Sequence, residues 1–304
     1  MMFDSLRRRF NTRKFSWLCR GIMDTPPIRH RPAPLRIVSM VRGDDLSMYL
    51  IAIKSFYRQL PGGSITVMDD GTLTEAHRAL LRHHLGEPEI VRIDDIATGP
   101  CPSGSCWERL LFILDRTAES YVVQLDSDML TTGPVPEVVA AIEGNRAFTL
   151  NSAPDQPIVD LETAARQVAD HDARFMQIRA EQALPRLPPD AGRFYVRGSA
   201  GFAGFARGGP DRRAAEAFST AMQDLLGPSW LEWGSEQISS NYIVCNSPDG
   251  LALPWPKYCC FIPGVQAEHA AMMHFIGTWR FQHGMYARKA RGVVDAMLKD
   301  TAAR

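Results

Sequence analysis

The chain reads as an α/β protein, a parallel sheet with helices on both faces, preceded by a basic N-terminal extension. Three observations carry that expectation. Short β-branched, apolar runs alternate with longer runs of helical period from Leu35 onward. Gly, Pro and Asp clusters punctuate them at the spacing of strand–helix–strand units. The chain has 304 residues, enough for a large core, and no apolar run approaches the ~20 residues that span a bilayer.

Charge and cysteine content exclude several classes. Lys plus Arg and Asp plus Glu both number 34, so the net charge is zero and nucleic acid is not an expected partner. The six cysteines lack paired zinc spacing, and buried or free thiols in a reducing cytoplasm are expected. No secretory signal is expected, because the N-terminus shows no apolar core followed by a small-residue cleavage site.

Residues 1–34 stand apart from residues 35–304. Arg7, Arg8, Arg9, Arg13, Lys14 and Arg20 are interspersed with Phe3, Leu6, Phe10, Phe15, Trp17 and Leu18. Two readings stay open: a basic amphipathic helix in peripheral contact with an anionic membrane at the inner face, or a loosely docked extension. Pro26, Pro27, Pro32 and Pro34 mark the boundary.

Leu35 to Val41 predicts the first strand, and Ser47 to about Gln59 the first helix of the main domain. Asp45 lies in the loop between them. Ser64 to Met68 predicts a second strand with Asp69 and Asp70 at its carboxyl end, and Thr72 or Thr74 caps the helix that follows. Glu89 to Ile93 is a third strand. Ser105 and Glu108 have capping-box spacing ahead of an amphipathic helix that carries Trp107 and Arg109.

That helix feeds Tyr121 to Leu130, a buried run that leads into Asp126, Ser127 and Asp128. If strand geometry persists through Ser127, both carboxylates point to one side. They stand at a strand's carboxyl end, where open α/β sheets bind ligands. Paired carboxylates repel unless a cation lies between them, and Mn²⁺ or Mg²⁺ suits such hard oxygen donors.

The order of Asp69-Asp70-Gly71-Thr72, then Trp107, Arg109 and Leu110, then Leu125-Asp126-Ser127-Asp128 resembles a GT-A fold glycosyltransferase. Within that fold it is most similar to the glycogenin and galactosyltransferase-like family (family eight). The resemblance covers roughly residues 35–290, with 150–195 unmatched and taken as an acceptor-side helical insertion. It implies a single Rossmann-like mixed sheet and a divalent metal, usually Mn²⁺, that bridges the diphosphate of a nucleotide sugar. Arg109 matches the helix arginine that contacts the nucleotide.

Three later stretches extend the resemblance. Ser199-Ala200-Gly201-Phe202-Ala203-Gly204 is similar to the strand near the donor sugar, with its first polar position altered. Glu236, Gln237 and Asn241 reproduce the family's acid–Gln–Asn spacing, which implies that Glu236 and Gln237 line the donor sugar; Ile238 stands where a second acid is common. His274-Phe275-Ile276-Gly277-Thr278-Trp279-Arg280 resembles a His-Phe-x-Gly-x-x-Lys motif, with arginine in place of lysine.

These matches give an expected site. Asp126, Asp128 and His274 would hold the metal; Arg109, Asp69, Asp70, Asp45, Ser127, Gly277, Arg280 and Asn241 would hold the donor; Gln237 and Glu236 would serve catalysis. The implied reaction is hexosyl transfer, with retention, from a UDP-sugar to a glycan, lipid-linked or protein acceptor. A metal-dependent nucleotidyltransferase and a non-catalytic carbohydrate- or membrane-binding protein on a GT-A-like fold are the alternatives.

Overall fold

The computed structural model describes residues 2–302 apart from positions 155, 190, 263 and 266. The segment before the sheet is helix α1 (Met2–Leu18), followed by a 3₁₀ turn over Arg20–Asp24. Side chains of Phe3, Asp4, Arg7 and Arg8, part of the expected basic face, lie outside the described residues.

The chain then winds through β1 (Leu35–Val41), α2 (Leu46–Tyr57), β2 (Ser64–Asp69), α3 (Glu75–Leu85) and β3 (Glu89–Arg92). These strands pair parallel, β1 with β2 and β2 with β3. Thr74 caps α3 by accepting from the His77 N–H. Helix α4 (Trp107–Arg116) leads into β4 (Tyr121–Leu125), which joins β1 in parallel.

The expected cap of α4 is different. Ser105 and Cys106 both take positive φ, 49° and 74°, so the chain enters the helix through a left-handed kink. Glu108 reaches further back instead, accepting from the Gly104 N–H at 2.7 Å.

After β4 come β5 (Met129–Thr131), α5 (Pro136–Glu143), β6 (Phe148–Asn151), β7 (Val159–Asp160), α6 (Leu161–Gln167), α7 (Met176–Ala183), β8 (Phe194–Tyr195) and β9 (Gly198–Phe205). The last part comprises α8 (Arg212–Leu226), α9 (Ser235–Cys245), β10 (Leu251–Ala252), β11 (Tyr258–Cys260), β12 (Met272–His274) and α10 (Met285–Ala302). The main sheet has the order β10-β6-β9-β4-β1-β2-β3. It is mixed because β9 runs antiparallel to both β4 and β6. A small sheet, β11-β12-β5, and a two-stranded ribbon of β7 and β8 complete the strands among the described residues.

Alternation along the strands divides the core. Ile37, Val41, Val67 and Val123 face α2, α10 and the small sheet. Val38, Met68, Val122 and Ala203 face α4, α8 and α9. Helices α6 and α7, from the unmatched stretch, pack Leu161, Ala164, Met176 and Ala180 into this second core.

The N-terminal segment is bound to the first core from Phe15 onward. Phe15, Cys19 and Ile22 are buried there. Below them the Lys54 ammonium donates to Thr25 Oγ1 at 2.8 Å and to the Pro26 carbonyl at 2.9 Å. Burial pushes that ammonium down to about 8.

Candidate active site

The expected continuous strand through Asp128 is broken. Strand β4 stops at Leu125, and Met129 N donates to Asp126 O at 3.2 Å, closing a turn before the chain enters the small sheet as β5. Pairing with two different sheets forces this break. Strand β9 still holds the turn's first residue, since the Asp126 N–H donates to the Gly201 carbonyl at 2.8 Å. The carboxylates are therefore brought together by a turn and not by strand alternation.

Strand β12 lies antiparallel to β5 with His274 opposite Met129, which sets the imidazole against the turn. His274 Nε2 is 3.1 Å from Asp128 Oδ1 and 3.9 Å from Asp126 Oδ2. One donor atom from each of Asp126, Asp128 and His274 lies within 4.8 Å of the others, the one such cluster of metal-type side chains among the described residues. Asp126 keeps 27% of its side chain exposed and Asp128 only 7%, so the outer carboxylate offers the open edge.

Two features orient the imidazole. Ser199 Oγ sits 2.9 Å from His274 Nδ1, which leaves Nε2 turned to the carboxylates. A Cβ on Gly201 would lie 2.1 Å from the same ring, so only glycine leaves room for it. Sequence reasoning placed Ser199 in the strand near the donor sugar but assigned its side chain no role, because its imidazole partner lies 75 residues away.

Arg280 ion-pairs with Asp128, and its Nε donates to the Phe275 carbonyl at 3.0 Å. Burial would raise the Asp128 carboxyl, but His274 and Arg280 together hold it well below the usual carboxylate range. Burial likewise works against a charged His274, and the Asp128 carboxylate pulls the other way, raising the imidazole above its ordinary value. Gly277, exposed and at φ 51°, lets the chain turn sharply between the two residues' segments.

A second group adjoins the first. Arg109, almost fully buried, pairs with Asp126 on one side and lies 3.4 Å from Glu236 Oε1 on the other. The Trp107 indole donates to Ser235 Oγ at 2.9 Å and locks the start of α4 to the start of α9. Burial pushes Glu236 up from the usual 4.5 to about 7, only partly offset by Arg109. Gln237 is half-buried where Glu236 is buried, so the amide has the accessible surface of the pair.

The remaining expected residues divide. Asp45 is buried beside the start of α2, near enough to Arg280 to help hold its charge. Ser127 is half-buried within the turn. Asp70 lies 3.6 Å from Arg42. Asp69 is committed to its own loop: Oδ1 accepts from the Gly71 and Leu73 N–H groups, and Oδ2 pairs with Arg78. Asn241 is fully buried, donating to the Gly198 carbonyl and sharing a 3.0 Å hydrogen bond with Thr149. With no surface exposed, it positions the start of β9 where donor contact was expected.

No protein-family model matches the chain, and no curated protein does. Among solved structures, an active-site mutant of LgtC is similar at a TM-score of 0.50 and 12% identity, over 86% of this chain and 95% of that one. The bifunctional glycosyltransferase WbbM is similar at a TM-score of 0.51 and 12% identity, over 90% of this chain and 53% of that one. At such identity the likeness shows the fold alone. That fold is GT-A, a mixed sheet flanked by helices.

Proposed function

We propose that this protein is a metal-dependent glycosyltransferase that moves a hexosyl group from a nucleotide sugar, UDP-linked, to a glycan, lipid-linked or protein acceptor. The observation that carries the reading is the convergence of Asp126, Asp128 and His274 beside the end of β4. Arg109 links this cluster to Glu236, the neighbour of Gln237. The donor set suits Mn²⁺, with Mg²⁺ the alternative: two carboxylates, and one imidazole whose other nitrogen is engaged.

A bound divalent cation would supply electrostatic stabilisation of the leaving diphosphate. The chain's own groups account for the rest. Asp126 presents the more open carboxylate, and Arg109 fixes its orientation from behind. Arg280, at the edge of the same cluster, offers a guanidinium that can leave Asp128 for phosphate oxygens. Gly277 leaves its backbone open to close approach. Asp45, Asp70 and Ser127 supply polar groups around the donor end, and Gln237 presents its amide toward the sugar.

Transfer breaks the bond between the anomeric carbon and the diphosphate oxygen and forms one to the acceptor oxygen. Its proton leaves with the departing phosphate. Retention at the anomeric carbon accompanies this reading, and the free thiols suit a reducing cytoplasm. Nucleotidyl transfer is less well supported, since the described residues hold no further acidic cluster to serve as a second set of ligands.

The test is UDP release from a panel of UDP-sugars, with Mn²⁺ or EDTA, by the wild type and Asp128→Ala. Hydrolysis of one donor, abolished by EDTA and by the substitution, supports the reading and identifies the sugar. Absence of both turnover and Mn²⁺-dependent UDP binding refutes it.

A further inference from the structure

Helix α1 is apolar on two opposite sides. Its inner side carries Phe15, with Leu18 and Cys19, against the first core. The Phe15 ring lies 4.3 Å from that of Tyr286, which stacks at 4.2 Å on Phe275, the residue after His274. The outer side carries Leu6, Phe10, Arg13 and Trp17, at the spacing of a single helical face. Leu6, Phe10 and Trp17 are 55%, 67% and 64% exposed.

Cations border this stripe. Arg9, Arg13, Lys14 and Arg20 are exposed along it, and the Arg20 guanidinium lies over the Trp17 ring, 5.3 Å from its centroid. Arg9 and Arg13 also border a cleft lined by Arg42, Asp44 and Asp45. Large rings ringed by arginine match the chemistry of a lipid headgroup boundary, where apolar side chains enter the acyl region and cations meet phosphates.

We infer that the outer face of α1 docks this protein on an anionic phospholipid bilayer, lying in the plane of its surface. A second copy is a poorer occupant, because a two-fold contact would gather two sets of these arginines into one interface. Crossing the bilayer is not in question: none of the described helices is long and apolar enough. The inference stands apart from the proposed chemistry. It follows from the exposed stripe whether or not the site turns over a sugar nucleotide.

Flotation of the full chain tests it, with vesicles of phosphatidylcholine alone and of phosphatidylcholine with one-third phosphatidylglycerol. Binding is expected to the anionic vesicles only, with release by salt. The double variant Phe10→Ala/Trp17→Ala should weaken it at least tenfold, since each ring leaves water on docking. Arg13→Gln should weaken it about fivefold. Both variants should keep the wild-type melting temperature, because these side chains contribute little to the core. The fluorescence lost in Trp17→Phe should shift to the blue when anionic vesicles are added to the wild type. The inference is overturned by absence of binding to anionic vesicles, by equal binding of the variants, or by a wild-type dimer that the double variant dissociates.

Discussion

The two halves of the candidate site solve the same electrostatic problem with opposite results. Around Asp128, one buried carboxylate faces the Arg280 guanidinium and the His274 imidazole, and its acidity rises despite burial. Around Arg109, one buried cation serves two acids, and the carboxyl of Glu236, the more deeply buried of them, is held above the usual carboxylate range. Burial is common to both. The local count of cations and acids decides in which direction each carboxyl is shifted.

Removal of the shared cation should have the largest effect. Arg109→Met leaves Asp126 and Glu236 without their partner, one of them fully buried. A loss of about 3 kcal/mol of stability is expected in urea unfolding, with thermal unfolding showing the same direction. A loss below a few tenths would mean that Arg109 is not the neutralising group.

Removing the acid from the doubly paired half should act on chemistry. Asp128→Asn keeps the shape of the side chain and should lower UDP-sugar turnover on the order of 100-fold. It should also abolish Mn²⁺-dependent thermal stabilisation by UDP. A variant that retains both would detach Asp128 from the metal role.

The hydroxyl beside the imidazole should matter less. Ser199→Ala removes the partner of His274 Nδ1 and should weaken Mn²⁺ binding by about tenfold in calorimetry. An unchanged affinity would assign the imidazole's orientation to packing against Gly201 alone.

The gentlest test is pH. Glu236 has its folded value raised to about 7 from the ordinary 4.5. Its protonated form therefore contributes stability that is complete below about 4.5 and is lost as pH rises through about 7. Between those limits Glu236→Gln should flatten the fall in unfolding free energy by at most about 1.4 kcal/mol per pH unit. Identical profiles for wild type and variant would remove Glu236 as the titrating group.

Much of this arrangement was legible in the chain. The bounds of β1, α2 and β2 follow from apolar period and from the turn residues Gly43, Pro61 and Gly62, which act locally. Asp126, Asp128, Arg109, Glu236 and His274 could be named because motif spacing survives in sequence. The partners of Ser199 and Arg280 were not legible. Neither was the burial of Asn241, since its i+4 spacing from Gln237 on α9 says nothing about the strand packed against it.

The basic extension shows the same division. Composition alone identified arginines among aromatic residues in residues 1–34, yet left open whether they lay on a membrane or hung loosely. Phe15 and Phe10 are alike in sequence character; only packing against Tyr286 separates the buried ring from the exposed one.

The α/β alternation, the strand that delivers two carboxylates to its end, and the identity of the charged groups are written in the order of residues along the chain. These depend on side-chain periodicity and on residues close in the chain. The tertiary structure decided that β4 breaks into a turn, that β12 carries His274 to Asp128, and that one arginine is shared by two acids. Those outcomes come from strand pairing and burial between segments more than a hundred residues apart, where desolvation and the local count of opposite charges set the chemistry.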